Sequence, residues 1–312
     1  MISFGPVPSR RLGMSLGINT IPASKVCTYS CIYCQVGLTR NYQKQRKDFY
    51  APHVVLNQVK DHLARLDVND IPDYLTIVAN GEPSLDVSLG ETLRLLKQIP
   101  IPLAVITNAS LLNMNSVRDD LMLADWVSVK VDAGNELTWK KINNPVDSIR
   151  FETLVDGILK FASQFKGKLV TETMLVEGVN DNQSDVAQTA SLIAKINPHT
   201  AYISIPTRPP AVKSVHPPVE AVVTDAYRIF VDHEINTELI LGFEGTHTGF
   251  TGNALEDIVN ICTVHPIRED VMAQLLDQNN ADHTLLSTLL HGKYIKEVEY
   301  QSHKYYIRLF HQ

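Results

Sequence analysis

The stretch YLTIVANGEPSLDVSLGETLRLLKQIPIPLAVITN, residues 74–108, decides how the rest of the chain is read. It opens with a strand-like apolar run, 74–80. Asn80-Gly81-Glu82-Pro83 then breaks the pattern, an amphipathic helical stretch follows over 89–98, and a second strand-like run covers 103–108. Strand, helix and strand of these lengths make a βαβ unit, whose two strands run parallel. The same alternation extends both ways. Strand-like runs fall at 14–21, 126–132, 169–176 and 201–205, and helical stretches at 54–66, 116–123, 151–165 and 181–196. Over 54–66 the apolar positions Val55, Val59, Leu63 and Leu66 recur at the spacing of one helical face. Six such units predict an α/β fold, a partial (β/α)6 TIM-like barrel. An open doubly wound sheet is the rival.

In both architectures chemistry gathers at the C-terminal ends of the parallel strands. The marked residues lie there: Asn80, Gly81 and Glu82 after one strand, Thr107 and Asn108 after the next. Glycine at 81 suits a backbone that must approach a ligand. In the fourth strand Val127, Val129 and Val131 share one face while Ser128, Lys130 and Asp132 share the other. The apolar face should pack on helices and the polar face should line the barrel. A lysine there costs several kcal/mol if desolvated and unpaired. It should therefore meet a carboxylate, Asp132 or Glu172.

Upstream lies Cys27-Thr28-Tyr29-Ser30-Cys31-Ile32-Tyr33-Cys34, a C-x3-C-x2-C spacing. Three thiolates can hold three corners of a cubane [4Fe–4S] cluster that ordinarily takes four cysteines. The remaining iron is then open to a small molecule. The alternatives are a plain ferredoxin-type site or a Cys3His zinc knuckle with His53 as a distant fourth ligand. Structural zinc is usually closed by a second cysteine pair, and the sequence has none.

With Tyr33 before its last cysteine, this motif resembles the radical S-adenosylmethionine (radical SAM) superfamily. The resemblance implies that Cys27, Cys31 and Cys34 hold one [4Fe–4S] cluster whose open iron binds SAM. It implies reductive cleavage of SAM to methionine and a 5′-deoxyadenosyl radical, which abstracts a hydrogen atom from a substrate. A flavodoxin- or ferredoxin-type reductant is implied as partner. Asn80-Gly81-Glu82 resembles the superfamily's G-G-E element and Thr107-Asn108 its T-N-G element, so these five residues become SAM contacts. Asn80 replaces a glycine, and Ala109 stands where glycine is common. Lys130, Asp132 and Glu172 are the catalytic candidates. Phe4 to Gly13, Trp139-Lys140-Lys141-Ile142-Asn143-Asn144-Pro145 and Arg208-Pro209-Pro210 resemble a subgroup close to the wyosine-type tRNA-modifying enzymes. The opening 4–13 reads as a shaped loop in which Ser9, Arg10 and Arg11 clamp an anionic substrate, with Arg208 as a further contact. A tRNA or nucleotide is one substrate class; a peptide, protein or small metabolite is the other.

The net charge of −6 hides an asymmetry. Residues 1–47 hold seven Lys or Arg and no Asp or Glu, a +7 segment around the cysteines, so the rest carries −13. Attraction of an anionic substrate and compensation of an anionic cluster explain this equally well. No run of apolar residues is long enough for a membrane span, and the N-terminus lacks a signal-peptide pattern. Four cysteines, three of them clustered, fit a reducing cytoplasm and no disulfide framework.

The barrel should occupy 1–245. Residues 250–312 change character: helices at 254–262, 268–276 and 283–291, then strands at 294–300 and 304–309, predict a small winged-helix-like domain. Residues 254–312 hold five Lys or Arg against eight Asp or Glu, which disfavours DNA binding. The stripe Lys293, Lys296, Lys304 and Arg308 is its one basic feature. A non-enzymatic iron–sulfur or zinc regulator is the remaining functional class. Cys262 reads as a small buried hydrophobe, and none of the eleven histidines is assigned a role.

Overall fold

The computed structural model describes residues 2–309 apart from 23, 243, 244, 246, 247 and 250. Eight strands form one sheet in chain order: β1 (Ser3–Ser9), β2 (Gly13–Ile18), β3 (Tyr74–Ile77), β4 (Leu103–Thr107), β5 (Trp126–Lys130), β6 (Lys168–Met174), β7 (Thr200–Ser204) and β8 (Thr237–Ile240). From β2 to β8 every pairing is parallel, while β1 runs antiparallel to β2. The crossovers carry α1 (Pro52–Leu63), α2 (Leu89–Leu96), α3 (Asn115–Leu121), α4 (Glu136–Asn143), α5 (Phe151–Gln164), α6 (Gln183–Ile196) and α7 (Glu220–Asp232). The sheet curls into a half-barrel, the partial TIM-like barrel expected.

Side-chain alternation builds two cores on the two faces of this sheet. Outward, Leu75, Ile77, Val105, Val127, Val129 and Ile203 join Leu89, Leu93, Leu121, Ile158, Phe161 and Ile193 of the helices. Each such side chain contributes about 1.5–3 kcal/mol on burial. Inward, Leu12, Ala104, Trp126, Val170, Tyr202 and Ile240 pack as an apolar plug. Toward the C-terminal strand ends the inner face turns polar, and Lys130 stands opposite Glu172 in register.

The six expected strands correspond to β2–β7; β1, β8, α4 and α7 are additional. The opening loop shrinks accordingly, because residues 3–9 are strand. Pro6 and Pro8 are tolerated there because β1 is the sheet edge, with β2 its one neighbour.

Residues past 250 contribute α8 (Ala254–Val264), α9 (Glu269–Gln278), α10 (His283–His291) and a small antiparallel sheet. That sheet consists of β9 (Ile267–Arg268), β10 (Ile295–Tyr300) and β11 (His303–Arg308), ordered β9-β11-β10. Its core of Ile258, Ile261, Met272, Leu275, Leu289 and Ile295 also includes Phe4 and Val7 of β1. The Tyr300 hydroxyl donates to Pro206 O at 3.0 Å and the Tyr305 hydroxyl to Thr207 O at 3.1 Å, just past β7. Gln35 Nε2 donates to Val264 O at 2.8 Å. This segment therefore lies against the C-terminal ends of the barrel strands. Cys262 is buried and donates to Tyr306 O, and burial pushes its thiol up to about 12. Among the described residues no helix is long and apolar enough to cross a membrane.

Candidate active site

A cavity of ≈ 310 Å³ opens at those strand ends. One wall is the cysteine loop, with Cys27, Cys31 and Cys34 all facing the cavity. The loop is held by backbone pairing with its neighbours. Val26 N–H donates to Asn80 O at 3.1 Å, and Glu82 N–H donates to Val26 O at 3.1 Å. Ser30 N–H donates to Asn143 O at 3.1 Å and Ile32 N–H to Ile142 O at 3.0 Å, which ties the loop to the end of α4. Gly81 has φ +139°, and a Cβ there would sit 1.7 Å from Val26 O. The close backbone approach that glycine permits here is to the cysteine loop, and Gly81 also lines the cavity.

Each of the three sulfurs receives a side-chain N–H. Lys25 Nζ stands 3.1 Å from Cys34 Sγ, Asn143 Nδ2 3.4 Å from Cys31 Sγ and Asn108 Nδ2 3.5 Å from Cys27 Sγ. Burial pushes the Cys27 and Cys31 thiols up to about 12. Burial opposes the Lys25 ammonium, but Cys34 and the other two cysteines outweigh it and raise its pKa. His53, the alternative fourth ligand, is exposed on α1 and is not among the cavity-lining residues.

The Glu82 carboxylate is a hub between strand ends. Its Oε1 accepts from Ser84 N–H (3.0 Å), Ser84 Oγ (2.6 Å) and Thr107 Oγ1 (2.6 Å), and its Oε2 from Asn108 N–H (2.7 Å). Burial raises its pKa, and those four hydrogen bonds offset part of the rise. Gly81, Glu82, Thr107 and Asn108 line the cavity. Asn80 is not among the lining residues; it is fully buried, and its backbone N–H donates to Asn19 Oδ1. Ala109 has φ +64°, the left-handed conformation that glycine would supply at this position.

The opposite wall is ionic. Lys130 Nζ lies 3.3 Å from Asp132 Oδ1 and 3.4 Å from Glu172 Oε1, so the buried lysine meets both carboxylates. It also stands 5.1 Å from the centre of the Tyr33 ring. Burial opposes its charge, yet Asp132 and Glu172 hold its pKa above the ordinary value. Glu172 pairs in addition with Arg11. Burial works against the Glu172 carboxylate, but Arg11 and Lys130 bring it down to about 2. Asp132 accepts from Tyr33 OH, from Asn143 Nδ2 at 2.7 Å and from Met174 N–H at 2.8 Å. Lys130 and Glu172 line the cavity; Asp132 is not among the lining residues and braces Lys130 from behind.

Ser9, Arg10, Arg11 and Arg208 line the cavity together. Arg10 Nη1 donates to Ile240 O and Gly242 O, and Arg208 Nη1 to Gln35 Oε1 at 2.8 Å. Two cations of the basic N-terminal segment are balanced by carboxylates, Arg11 by Glu172 and Arg46 by Asp120, and Lys25 serves the cysteines. Sequence reasoning missed Lys25 and Asn143 as sulfur donors. It also missed His265, which reaches the cavity only because the C-terminal segment folds back over the barrel.

A family model described as the radical SAM superfamily matches residues 21–193, more than half of the chain. This chain belongs to the radical SAM superfamily. A UPF0026 protein of Methanocaldococcus jannaschii is 40% identical over 312 residues, covering 98% of this chain and 96% of that one. A protein named GTPase Obg from Brachyspira hyodysenteriae is 32% identical over 292 residues, covering 92% of this chain but 42% of its own length. Among solved structures, TYW1 with a lysine–pyruvate adduct bound gives a TM-score of 0.55 at 16% identity, covering 71% of this chain and 75% of that one. A radical SAM methyltransferase from Sphaerobacter thermophilus gives 0.53 at 15% identity, covering 73% and 66%. At these identities the structural likeness concerns the fold.

Radical SAM membership implies a [4Fe–4S] cluster and SAM. The cysteine wall suits the cluster: three thiols face one cavity, and N–H donors directed at sulfur stabilise the thiolate form. With both buried thiols at about 12, the metal-free protein keeps them protonated near neutrality. Loading the site must therefore release protons.

Proposed function

We propose that this radical SAM protein is an enzyme whose Cys27, Cys31 and Cys34 hold one [4Fe–4S] cluster, with SAM beside it and an anionic substrate farther into the barrel. When bound and supplied with one electron, cluster and SAM provide reductive cleavage of SAM to methionine and the 5′-deoxyadenosyl radical that abstracts a substrate hydrogen atom. The carrying observation is that the three cysteines, the strand-end residues Gly81, Glu82, Thr107 and Asn108, and the Lys130–Glu172 pair all line one cavity.

The chain's own residues divide the work. Gly81, Thr107 and Asn108 shape the wall on which SAM rests. Glu82 Oε2 receives one N–H among the described residues and keeps a lone pair for the SAM amino group. Lys130 and Glu172 hold a rigid, mutually neutralised floor that excludes water from the radical. Ser9, Arg10 and Arg208 face the substrate end, where the guanidinium groups suit a phosphate or carboxylate, while Arg11 beside them is held by Glu172. The electron comes from a flavodoxin- or ferredoxin-type protein.

A cavity shared with the cluster and SAM and covered by the 254–309 segment favours a small anion over an intact macromolecule. The second reading is tRNA, one base of which would enter after extrusion from its stack; the likeness to TYW1 supports the fold of that reading. The winged-helix-like segment acts in both as a cover. Its basic stripe is partly spent internally, Lys304 on Glu297 and Arg308 on the Tyr294 carbonyl, which argues against DNA reading and against a regulator.

The test is anaerobic reconstitution with iron and sulfide, followed by dithionite and SAM. Wild-type protein should take up about four irons and form 5′-deoxyadenosine. Cys31→Ala should do neither. Zinc in place of iron, or no SAM cleavage by a fully loaded cluster, overturns the proposal. Salt-dependent tRNA binding by the holoprotein would favour the second substrate reading.

A further inference from the structure

Three different elements direct a nitrogen donor at three different sulfurs. Lys25 precedes the first cysteine and reaches Cys34 Sγ at 3.1 Å, while its second hydrogen bond runs to Gly37 O at 2.5 Å. Asn143 ends α4 and reaches Cys31 Sγ at 3.4 Å. Asn108 follows β4 and reaches Cys27 Sγ at 3.5 Å. Both asparagine amides are anchored elsewhere as well, Asn143 Nδ2 on Asp132 at 2.7 Å and Asn108 Nδ2 on Thr28 Oγ1 at 2.8 Å. Lys25 Nζ is anchored by Gly37 O, within the turn that Gly37 N–H closes on Cys34 O at 3.0 Å. All three donors are thus positioned by bonds that do not depend on the sulfurs.

We propose that Lys25, Asn108 and Asn143 are positioning residues that set the reduction potential of the cluster, with Lys25 dominant. This rests on the reading of Cys27, Cys31 and Cys34 as cluster ligands. Reduction adds one negative charge to the cluster and its thiolates. A donor aimed at a ligand sulfur stabilises that added charge, so it raises the potential. A cation does so more strongly, because an ion–ion interaction at this separation in a partly buried site exceeds an ion–dipole one. Lys25 carries a full charge and stands at the shortest of the three distances. The asparagines are neutral and farther away. Part of the basic character of residues 1–47 is thereby assigned to the cluster instead of the substrate.

The test is a redox titration of reconstituted holoprotein, followed by the EPR signal of the reduced cluster, alongside iron and sulfide content. Lys25→Met should keep full iron and sulfide and move the midpoint to a more negative value. Lys25→Arg, which keeps charge and donor, should stay near wild type. Asn143→Leu should shift in the same direction as Lys25→Met, but less. A fully loaded Lys25→Met protein with a wild-type or more positive midpoint overturns the proposal. Should Lys25→Met take up no iron, Asn143→Leu decides: a more negative midpoint upholds the donor set and an unchanged one overturns it. Wild-type protein that assembles no cluster fails the underlying assignment and takes this inference with it. Assembled clusters with equal midpoints fail the inference alone.

Discussion

On the cysteine wall, Lys25, Asn108 and Asn143 point N–H groups at sulfur, whereas on the opposite wall Arg11, Lys130, Asp132 and Glu172 close on one another. Both walls are partly buried and both carry ions. The first is arranged to receive something that adds negative charge; the second is already complete. On the proposed function the difference separates a reactive end of the cavity from a scaffold end, although the sequence offers strand-end polar residues at both.

The sharpest way to break this contrast is Gly81→Ala. Its Cβ would meet Val26 O at 1.7 Å, with backbone on both sides of the clash, so the cysteine loop must move. Iron uptake on reconstitution should fall to near the Cys31→Ala level while circular dichroism still shows the α/β barrel. Normal iron content would mean that the loop is not tied to Gly81 in the way the backbone pairing indicates. On the other wall, Lys130→Met removes one partner of a buried ion group. It should cost about 3 kcal/mol in urea unfolding yet leave iron content unchanged; iron loss larger than stability loss would merge the two walls into one.

A smaller effect follows from pH. Glu172 titrates at about 2 in the fold, below its ordinary 4.5. Its contribution is therefore fully present above pH 4.5 and is lost as pH falls toward 2. The stability difference between wild type and Glu172→Gln should shrink between pH 6 and pH 3. A difference that is constant over that range would show a carboxylate not held by Arg11 and Lys130. The smallest expected effect is at Ala109. Relief of the left-handed backbone gives about 1–2 kcal/mol in favour of glycine. Loss of the buried methyl costs about 0.8 kcal/mol, and the freer unfolded chain a further 0.4–1 kcal/mol or so. Ala109→Gly should move the melting temperature by under about 2 °C.

Much of this was legible in the sequence because the relevant signals are periodic or local. Strands β2–β7 follow from the alternation around 74–108, and the cysteine spacing marks a three-thiol site. The valine–lysine alternation in 126–132 also gave Lys130 its inward face and its carboxylate partners. What escaped is of a different kind. Strand β1 hides behind Pro6 and Pro8, which suggest a loop unless the strand is known to be an edge. Strand β8 is buried at Thr237 and Ile240 and exposed at Glu238 and Leu239, so it shows no period of two. Helix α4 is eight residues with two lysines, and its ending turned out to matter more than its length, because Asn143 serves Cys31 and Asp132 together. Gly81 could be read as a close-approach glycine, but that the backbone it accommodates is that of Val26 could not. Lys25 meets Cys34 across nine residues of one irregular loop, and His265 reaches the cavity only when distant chain segments meet; no periodic pattern encodes either.

Phe4 and Val7 belong at once to the barrel's edge strand, to the lining of the cavity and to the apolar centre beneath α8–α10. Cutting the chain before residue 254 would strip a hydrophobic cover from β1 and leave an exposed sheet edge with bare aromatic surface, a recipe for self-association. The 254–309 segment is therefore less an attachment than the second half of a shared interior, and the two side chains that hold it in place also border the barrel mouth.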